Sequence, residues 1–362
     1  MGEHVLKSLR IGNLVARIPI VQGGMGVGIS LSGLAAATAN AGGVGVIAAA
    51  GIGLLEIDGL KDFLGASLRG LRKEIRRARE LTRGILGVNI MVALSNFSDL
   101  VKAAVEEGID IIFSGAGLPV NLPEYVKGSS TMIAPIVSSG RAALLVLKRW
   151  KSKYSYTADA VVVEGPRAGG HLGFNSDQLT DGNFALESIL VDVVEAVRPF
   201  GEDAGREIPV IAGGGVYTGA DIRRILDLGA AGVQMATRFV ATEECDASLA
   251  FKNSYIEARE EDLEIIASPV GMPGRAIRNE FLDDVASGLR KPFACPFKCI
   301  VTCDFEKAPY CISLALLNAQ KGRLDKGFAF AGANAYRVDK IVKVCELMDS
   351  LVAEYEETSS IP

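Results

Sequence analysis

The sequence predicts an α/β fold, a (β/α)8 TIM barrel with a C-terminal helical segment packed near the barrel mouth. Three observations carry this expectation. Eight short apolar runs recur between residues 18 and 235, and none alternates polar with apolar, the pattern of strands buried on both faces. Helical stretches separate the runs, which points to parallel pairing. Glycine or a small polar residue follows nearly every run, as if all the strand ends surround one ligand. An open doubly wound sheet is the competing arrangement, and the ring of small residues favours the closed barrel.

Taken in order, residues 1–17 read as a lead-in of helix and hairpin. The first strand, Ile18 to Val21, stops at Gln22-Gly-Gly-Met-Gly26. An Ala-rich helix from Ser30 to Asn40 leads to a second strand, Val44 to Ala49. A helical region rich in Leu, Lys and Arg precedes the third, Ile85 to Met91. Ser98 to Glu107 reads as a helix with Ser98 at its N-cap. The fourth strand, Ile109 to Phe113, ends in Ser114-Gly-Ala-Gly117, and the fifth is Met132 to Val137. A helix from Arg141 to Trp150 leads to the sixth strand, Val161 to Glu164. After a helix from Leu186 to Val197 comes the seventh, Ile208 to Ala212, ending in three glycines. Ala220 to Leu228 is helical, and the eighth strand, Gly232 to Met235, ends at Ala236-Thr-Arg. Residues 1–240 form the expected barrel, and 241–362 a mainly helical region. Within the latter, Phe328-Ala-Phe-Ala-Gly-Ala-Asn-Ala-Tyr336 is expected to return to the site.

Composition narrows the function. The net charge is −5 with no long basic run, so a nucleic-acid partner is not expected. The basic stretch Lys73 to Arg83 reads as the wet face of a helix. No apolar run is long enough to span a bilayer and the start of the chain does not read as a signal peptide. A cytoplasmic protein acting on a small molecule is expected, with a homodimer possible. The 41 glycines in 362 residues exceed the usual ~7% and lie at strand ends, which suggests backbone held close to a ligand.

The stretch that carries chemistry is Glu164-Gly-Pro-Arg-Ala-Gly-Gly-His171. One of only two histidines in the chain, His171 follows a buried strand at its carboxyl end. That is where barrels of this kind place their sites, which makes His171 the candidate general acid or base. Gly213, Gly214 and Gly215, with Ala236 and Thr237, follow strands seven and eight, where barrels commonly hold a phosphate. Gly23, Gly24 and Met25 admit a flat ring system to the backbone of the first loop. Asn89 is a polar group inside a buried strand and needs a partner.

Together these pieces form a family signature. Gln22-Gly-Gly-Met, Ala41-Gly-Gly-Val-Gly45, Gly87-Val-Asn-Ile-Met91, Ser114-Gly-Ala-Gly117 and Ala168-Gly-Gly-His171 are followed by Pro209-Val-Ile-Ala-Gly-Gly-Gly and Gly232-Val-Gln-Met-Ala-Thr-Arg-Phe239. In this order, across roughly residues 10–280, the chain resembles the nitronate monooxygenase (2-nitropropane dioxygenase) family. It is equally similar to that family's relative, the flavin-dependent enoyl-acyl-carrier-protein reductase. The resemblance implies non-covalent FMN. It places the phosphate at Gly213 to Gly215, Ala236 and Thr237, and the ring by Gly23, Gly24 and Met25. It implies that Asn89 bonds to the flavin, counts Glu164 and Gly170 with the cofactor-binding residues, and sets His171 over the ring on the substrate side. In the nitronate enzymes that histidine removes the proton α to the nitro group; in the reductases a nicotinamide nucleotide reduces the flavin, which passes hydride to a conjugated thioester. The expected function is nitronate monooxygenase-like oxidation, with enoyl-thioester reduction as the alternative.

Three features depart from the family pattern. Arg167 stands where the family often has Glu, and Ala236 where it usually has Gly. The third is a cysteine cluster: Cys295, Cys299, Cys303 and Cys311, four of the six cysteines, fall within residues 295–311. An iron–sulfur cluster or a structural zinc is one reading, free thiols the other; the spacing matches neither the common zinc pattern nor the ferredoxin run.

Overall fold

A computed structural model gives the fold, with residues 6–290, 295 and 297–358 described. Eight parallel strands form one sheet: β1 Ile20–Gln22, β2 Gly45–Ala48, β3 Leu86–Asn89, β4 Ile111–Ser114, β5 Met132–Val137, β6 Val161–Glu164, β7 Val210–Gly213 and β8 Gly232–Met235. Their spatial order is β1-β8-β7-β6-β5-β4-β3-β2. The ends meet, because the Gln22 N–H donates to Val44 O at 2.9 Å and the Val44 N–H to Ile20 O at 2.9 Å. That parallel bridge rolls the sheet into the expected barrel.

Two apolar layers hold it. Inside the barrel, Val46, Ile111, Phe113, Ala134, Val162 and Ile211 are fully or nearly fully buried. Each large side chain so buried contributes about 1.5–3 kcal/mol. The lead-in is a hairpin, Leu9–Ile11 with Leu14–Ala16, whose Leu9 and Ile11 join this inner cluster. The expected lead-in helix is absent among the described residues; alternating burial and a Gly12 turn at φ +54° make this a plug for the barrel floor. Outside the strands, a larger cluster packs them against the helices.

Most expected elements stand where their periodicity put them, with two adjustments. The third expected helix runs Phe97–Glu106, so Ser98 lies inside it and Asn96 takes the N-cap position. The helix after β6 runs Leu186–Ala204, past Pro199, and ends at Gly205 in the left-handed region. The basic stretch lies largely on the helix Phe63–Leu81 and is partly neutralised by surface ion pairs, among them Lys73–Glu56 at 3.0 Å and Arg76–Glu107 at 2.7 Å.

The C-terminal region differs from the expectation in two ways. It is not mainly helical at its centre: β9 Leu263–Ala267 and β10 Pro273–Ile277 form an antiparallel hairpin. Pro269 lies in the turn between them. Secondly, the final helix, Val344–Thr358, belongs to the barrel ring. It packs on the helix Gly219–Asp227 and on the helix Ser32–Asn40. Glu354 accepts from the Gly219 N–H at 2.8 Å and pairs with Arg238 at 3.2 Å. The expected boundary at residue 240 therefore separates β8 from the helix that completes its unit, and 241–343 is an insertion between the two. Among the described residues no helix is long and apolar enough to cross a membrane.

Candidate active site

At the carboxyl end of the barrel lies a cavity of about 380 Å3. Its floor is the strand ends and its roof is the insertion, so both halves of the sequence expectation meet there. Gly23, Gly24, Met25, Asn89, Glu164, Gly170, His171, Gly214, Gly215, Ala236 and Thr237 all line it. Gly213 does not: it is the last residue of β7, and its carbonyl accepts from the Gly165 N–H at 2.9 Å. The helix after β8 is a single turn, Thr237–Val240.

The cradle is built from backbone. A methyl group on Gly24 would fall 2.4 Å from Asn89 Cβ, so only glycine lets the first loop lie flat against β3. Asn89 keeps its carbonyl in the sheet, accepting from the Ala49 N–H at 3.0 Å. Its side-chain amide has no partner among the described residues and remains available to a ligand in the cavity. Glu164, the end of β6, likewise has no hydrogen-bond partner among the described residues. Burial pushes its carboxyl up to about 7.

The insertion supplies the contacts that fix His171. Gly170–His171 form a two-residue strand paired antiparallel to β10, with His171 opposite Gly274. Arg275 on β10 is buried and its Nη1 donates to Pro166 O at 2.8 Å and Ala168 O at 2.6 Å, clamping the approach to the histidine. Ser268 Oγ lies 2.7 Å from His171 Nε2. The Phe330 ring meets the imidazole edge-on with centroids 5.0 Å apart, so the 328–336 stretch does return to the site. Burial pushes His171 down to about 4, which leaves the imidazole neutral at physiological pH and able to accept a proton.

Phe330 lies in the 328–336 stretch expected at the site, whereas Ser268 and Arg275 were not singled out from sequence. The signal was weak: a serine before a proline and an arginine in a mixed stretch look like ordinary loop residues. Only the pairing of β10 with the histidine loop reveals them.

The expected metal set does not assemble. Among the described residues no group of three or more His, Cys, Asp or Glu is placed to hold a metal ion. Cys299 is buried against Ser313, with Sγ 3.3 Å from Ser313 Oγ, while Cys295 accepts from the Lys298 N–H at 3.4 Å. Burial raises the Cys299 and Cys303 thiols and pushes Cys311 up to about 11. Cys299 lines the cavity as an apolar wall residue.

With this geometry in hand, comparison with known proteins is decisive at the family level. The sequence model of the nitronate monooxygenase family matches residues 7–354. The chain belongs to the nitronate monooxygenase family. A curated relative from Mycobacterium tuberculosis, (3aS,4S,5R,7aS)-5-hydroxy-7a-methyl-1-oxo-octahydro-1H-indene-4-carboxyl-CoA dehydrogenase, is 30% identical over 75% of this chain and 66% of its own. A probable nitronate monooxygenase of Staphylococcus saprophyticus is 28% identical over 58% of this chain and 55% of its own. The chain thus spans less than two thirds of the length of either curated relative. Among solved structures, FabK from Thermotoga maritima superposes with a TM-score of 0.73 at 29% identity, covering 94% of this chain and 93% of that one.

Proposed function

We propose that the protein is an FMN-dependent oxidoreductase that oxidises nitroalkanes or their nitronates with oxygen. The observation that carries this is a neutral, fixed His171 at the wall of a cavity whose floor is a glycine cradle. The residues present fit FMN. Gly24 leaves room for a flat ring, and Asn89 offers a free amide at the same spot. Gly214 and Gly215, at φ +92° and +118°, turn the chain at the end of β7, where their N–H groups and the Thr237 hydroxyl suit a phosphate. FMN, when bound, supplies electron acceptance from the substrate and its passage to oxygen.

The protein's own part is positional and protolytic. His171 accepts the proton from the carbon α to the nitro group. Ser268 and the Phe330 ring hold the imidazole in one orientation while it does so. The apolar wall of Met91, Leu94, Ile136 and Phe330 limits water around the developing carbanion. Removing the base predicts a 10²–10⁴-fold fall in turnover of neutral nitroalkane for His171→Ala, with far less effect on a nitronate supplied already deprotonated. Equal losses on both substrates would reject this role.

The likeness to FabK over 94% of the chain favours a second reading, reduction of an enoyl thioester with electrons from a nicotinamide nucleotide. One experiment separates the two. FMN-loaded protein is mixed anaerobically with NADH or NADPH, and separately with ethyl nitronate. Bleaching of the flavin band by the nitronate alone upholds oxidation. Bleaching by the nucleotide, with turnover of an enoyl thioester, replaces it by reduction. A protein that takes up no FMN overturns both.

A further inference from the structure

Arg167 at the cavity and the buried Arg275 behind the histidine loop feel each other's charge, and among the described residues no carboxylate pairs with either. Arg167 is exposed and lines the cavity. Its hydrogen bond runs from Nη2 to Asn334 Oδ1 at 3.1 Å, and no acidic residue pairs with it among the described residues. Arg275 is turned inward onto two carbonyl oxygens. The one charge felt by its guanidinium is that of Arg167, which adds to burial in holding it down to about 10. Like charges kept together without a counter-charge cost free energy unless an anion offsets them.

The place where an anion fits is marked by backbone. A methyl group on Gly215 would fall 3.2 Å from Arg167 Cβ and 3.4 Å from its Cδ, so the arginine stem lies directly over this glycine. Asn334 ties the two together: it accepts from Arg167 and its Nδ2 donates to Gly215 O at 2.8 Å. Thr237 lies alongside, since a methyl on Gly332 would fall 2.7 Å from Thr237 Oγ1, while the Ala333 N–H donates to Arg167 O at 3.0 Å. Four segments thus converge on one point, and the single full charge they bring is positive.

We propose that Arg167 is the cationic half of a phosphate-monoester site whose other half is the Gly214–Gly215 turn and Thr237. The turn and the hydroxyl offer N–H and O–H donors to the inner oxygens, and the guanidinium fork takes two outer ones. Two sources carry such a group: the 5′-phosphate of FMN, whose presence rests on the function proposed above, and the phosphate of a coenzyme A thioester substrate.

The test uses apoprotein of the wild type, Arg167→Ala and Arg167→Lys. Each is titrated with FMN and with riboflavin by flavin fluorescence, and melted with and without inorganic phosphate. Loss of a charge-assisted bond predicts a rise of about 10- to 100-fold in the FMN Kd of Arg167→Ala, with riboflavin unchanged. Arg167→Lys, which keeps the charge and loses the fork, falls between and guards against a variant that merely folds poorly. If FMN binding is unchanged but the KM for a coenzyme A thioester rises while that for the N-acetylcysteamine thioester does not, the site holds the substrate's phosphate. If neither changes, and phosphate raises the Tm of wild type and Arg167→Ala alike, the proposal is overturned. A wild type that binds neither flavin removes the FMN reading alone. Phosphate stabilisation lost in Arg167→Ala would then uphold the site, and equal stabilisation would sink it.

Discussion

The barrel and the insertion work on the same cavity by different means. The barrel contributes strand ends, and what lines the cavity there is largely glycine: Gly23, Gly24, Gly214 and Gly215. The insertion contributes side chains, and they act at second hand. Arg275 holds the carbonyls before the histidine, Ser268 the imidazole nitrogen and Phe330 its ring. On the proposed reading, cofactor placement rests on the strand ends. The orientation of His171 rests on a hairpin more than 90 residues away in sequence, as its separation from Ser268 shows.

This division can be broken at its strongest point. Gly24→Val forces a side chain into the space Asn89 occupies. Overpacking of about 1–3 kcal/mol predicts an FMN Kd up to about 100-fold weaker, read by fluorescence titration, with activity at saturating FMN less affected. Tight FMN binding by this variant would mean that the first loop is not the cradle.

A smaller effect sharpens the other side. Ser268→Ala removes one hydrogen bond from His171, about 0.5–1.5 kcal/mol, and predicts a roughly 2- to 10-fold lower kcat/KM for neutral nitroalkane with FMN binding unchanged. Ser268→Thr restores most of it. The acid limb of the pH profile stays in place, because burial rather than the serine holds the imidazole down.

A further effect is on stability. Glu164 is held up to about 7 in the fold, above its ordinary value of 4.5. Between these values the native state binds the proton and the unfolded state does not, so stability falls as pH rises through about 7. His171, lowered to about 4 from 6.5, acts in the opposite direction: its contribution is complete above 6.5 and is lost as pH falls toward 4. Glu164→Gln leaves the histidine untouched, so the Tm difference between variant and wild type isolates the carboxyl. That difference should increase in the variant's favour from pH 5 to pH 8, and a constant difference would mean Glu164 ionises normally.

The barrel was legible because each strand is buried on both faces and announces itself without help from distant residues. Val161 to Glu164 and Gly232 to Met235 begin and end where their apolar runs do. His171 and the glycine cradle were legible for a related reason: position after a strand places a residue at the mouth whatever covers it. Ser268 and Arg275 were not, because their role exists only through the pairing of β10 with Gly170–His171, a contact no local pattern encodes. The ring position of Val344–Thr358 was hidden in the same way. Its apolar stripe calls for a partner, and nothing in the stripe says that the partner is Gly219–Asp227.

That last helix ties the beginning of the chain to its end. β1 is hydrogen-bonded to β8, the floor is sealed by residues 9–16, and the ring of helices is completed by Val344–Thr358 against Ser32–Asn40. The first strand finds its far partner only in the eighth, and the first helix one of its neighbours only in Val344–Thr358. Without the β1–β8 pairing the cylinder is a curved, open sheet with two raw edges. A chain cut before Val344 keeps all its site residues and lacks part of the ring that holds them.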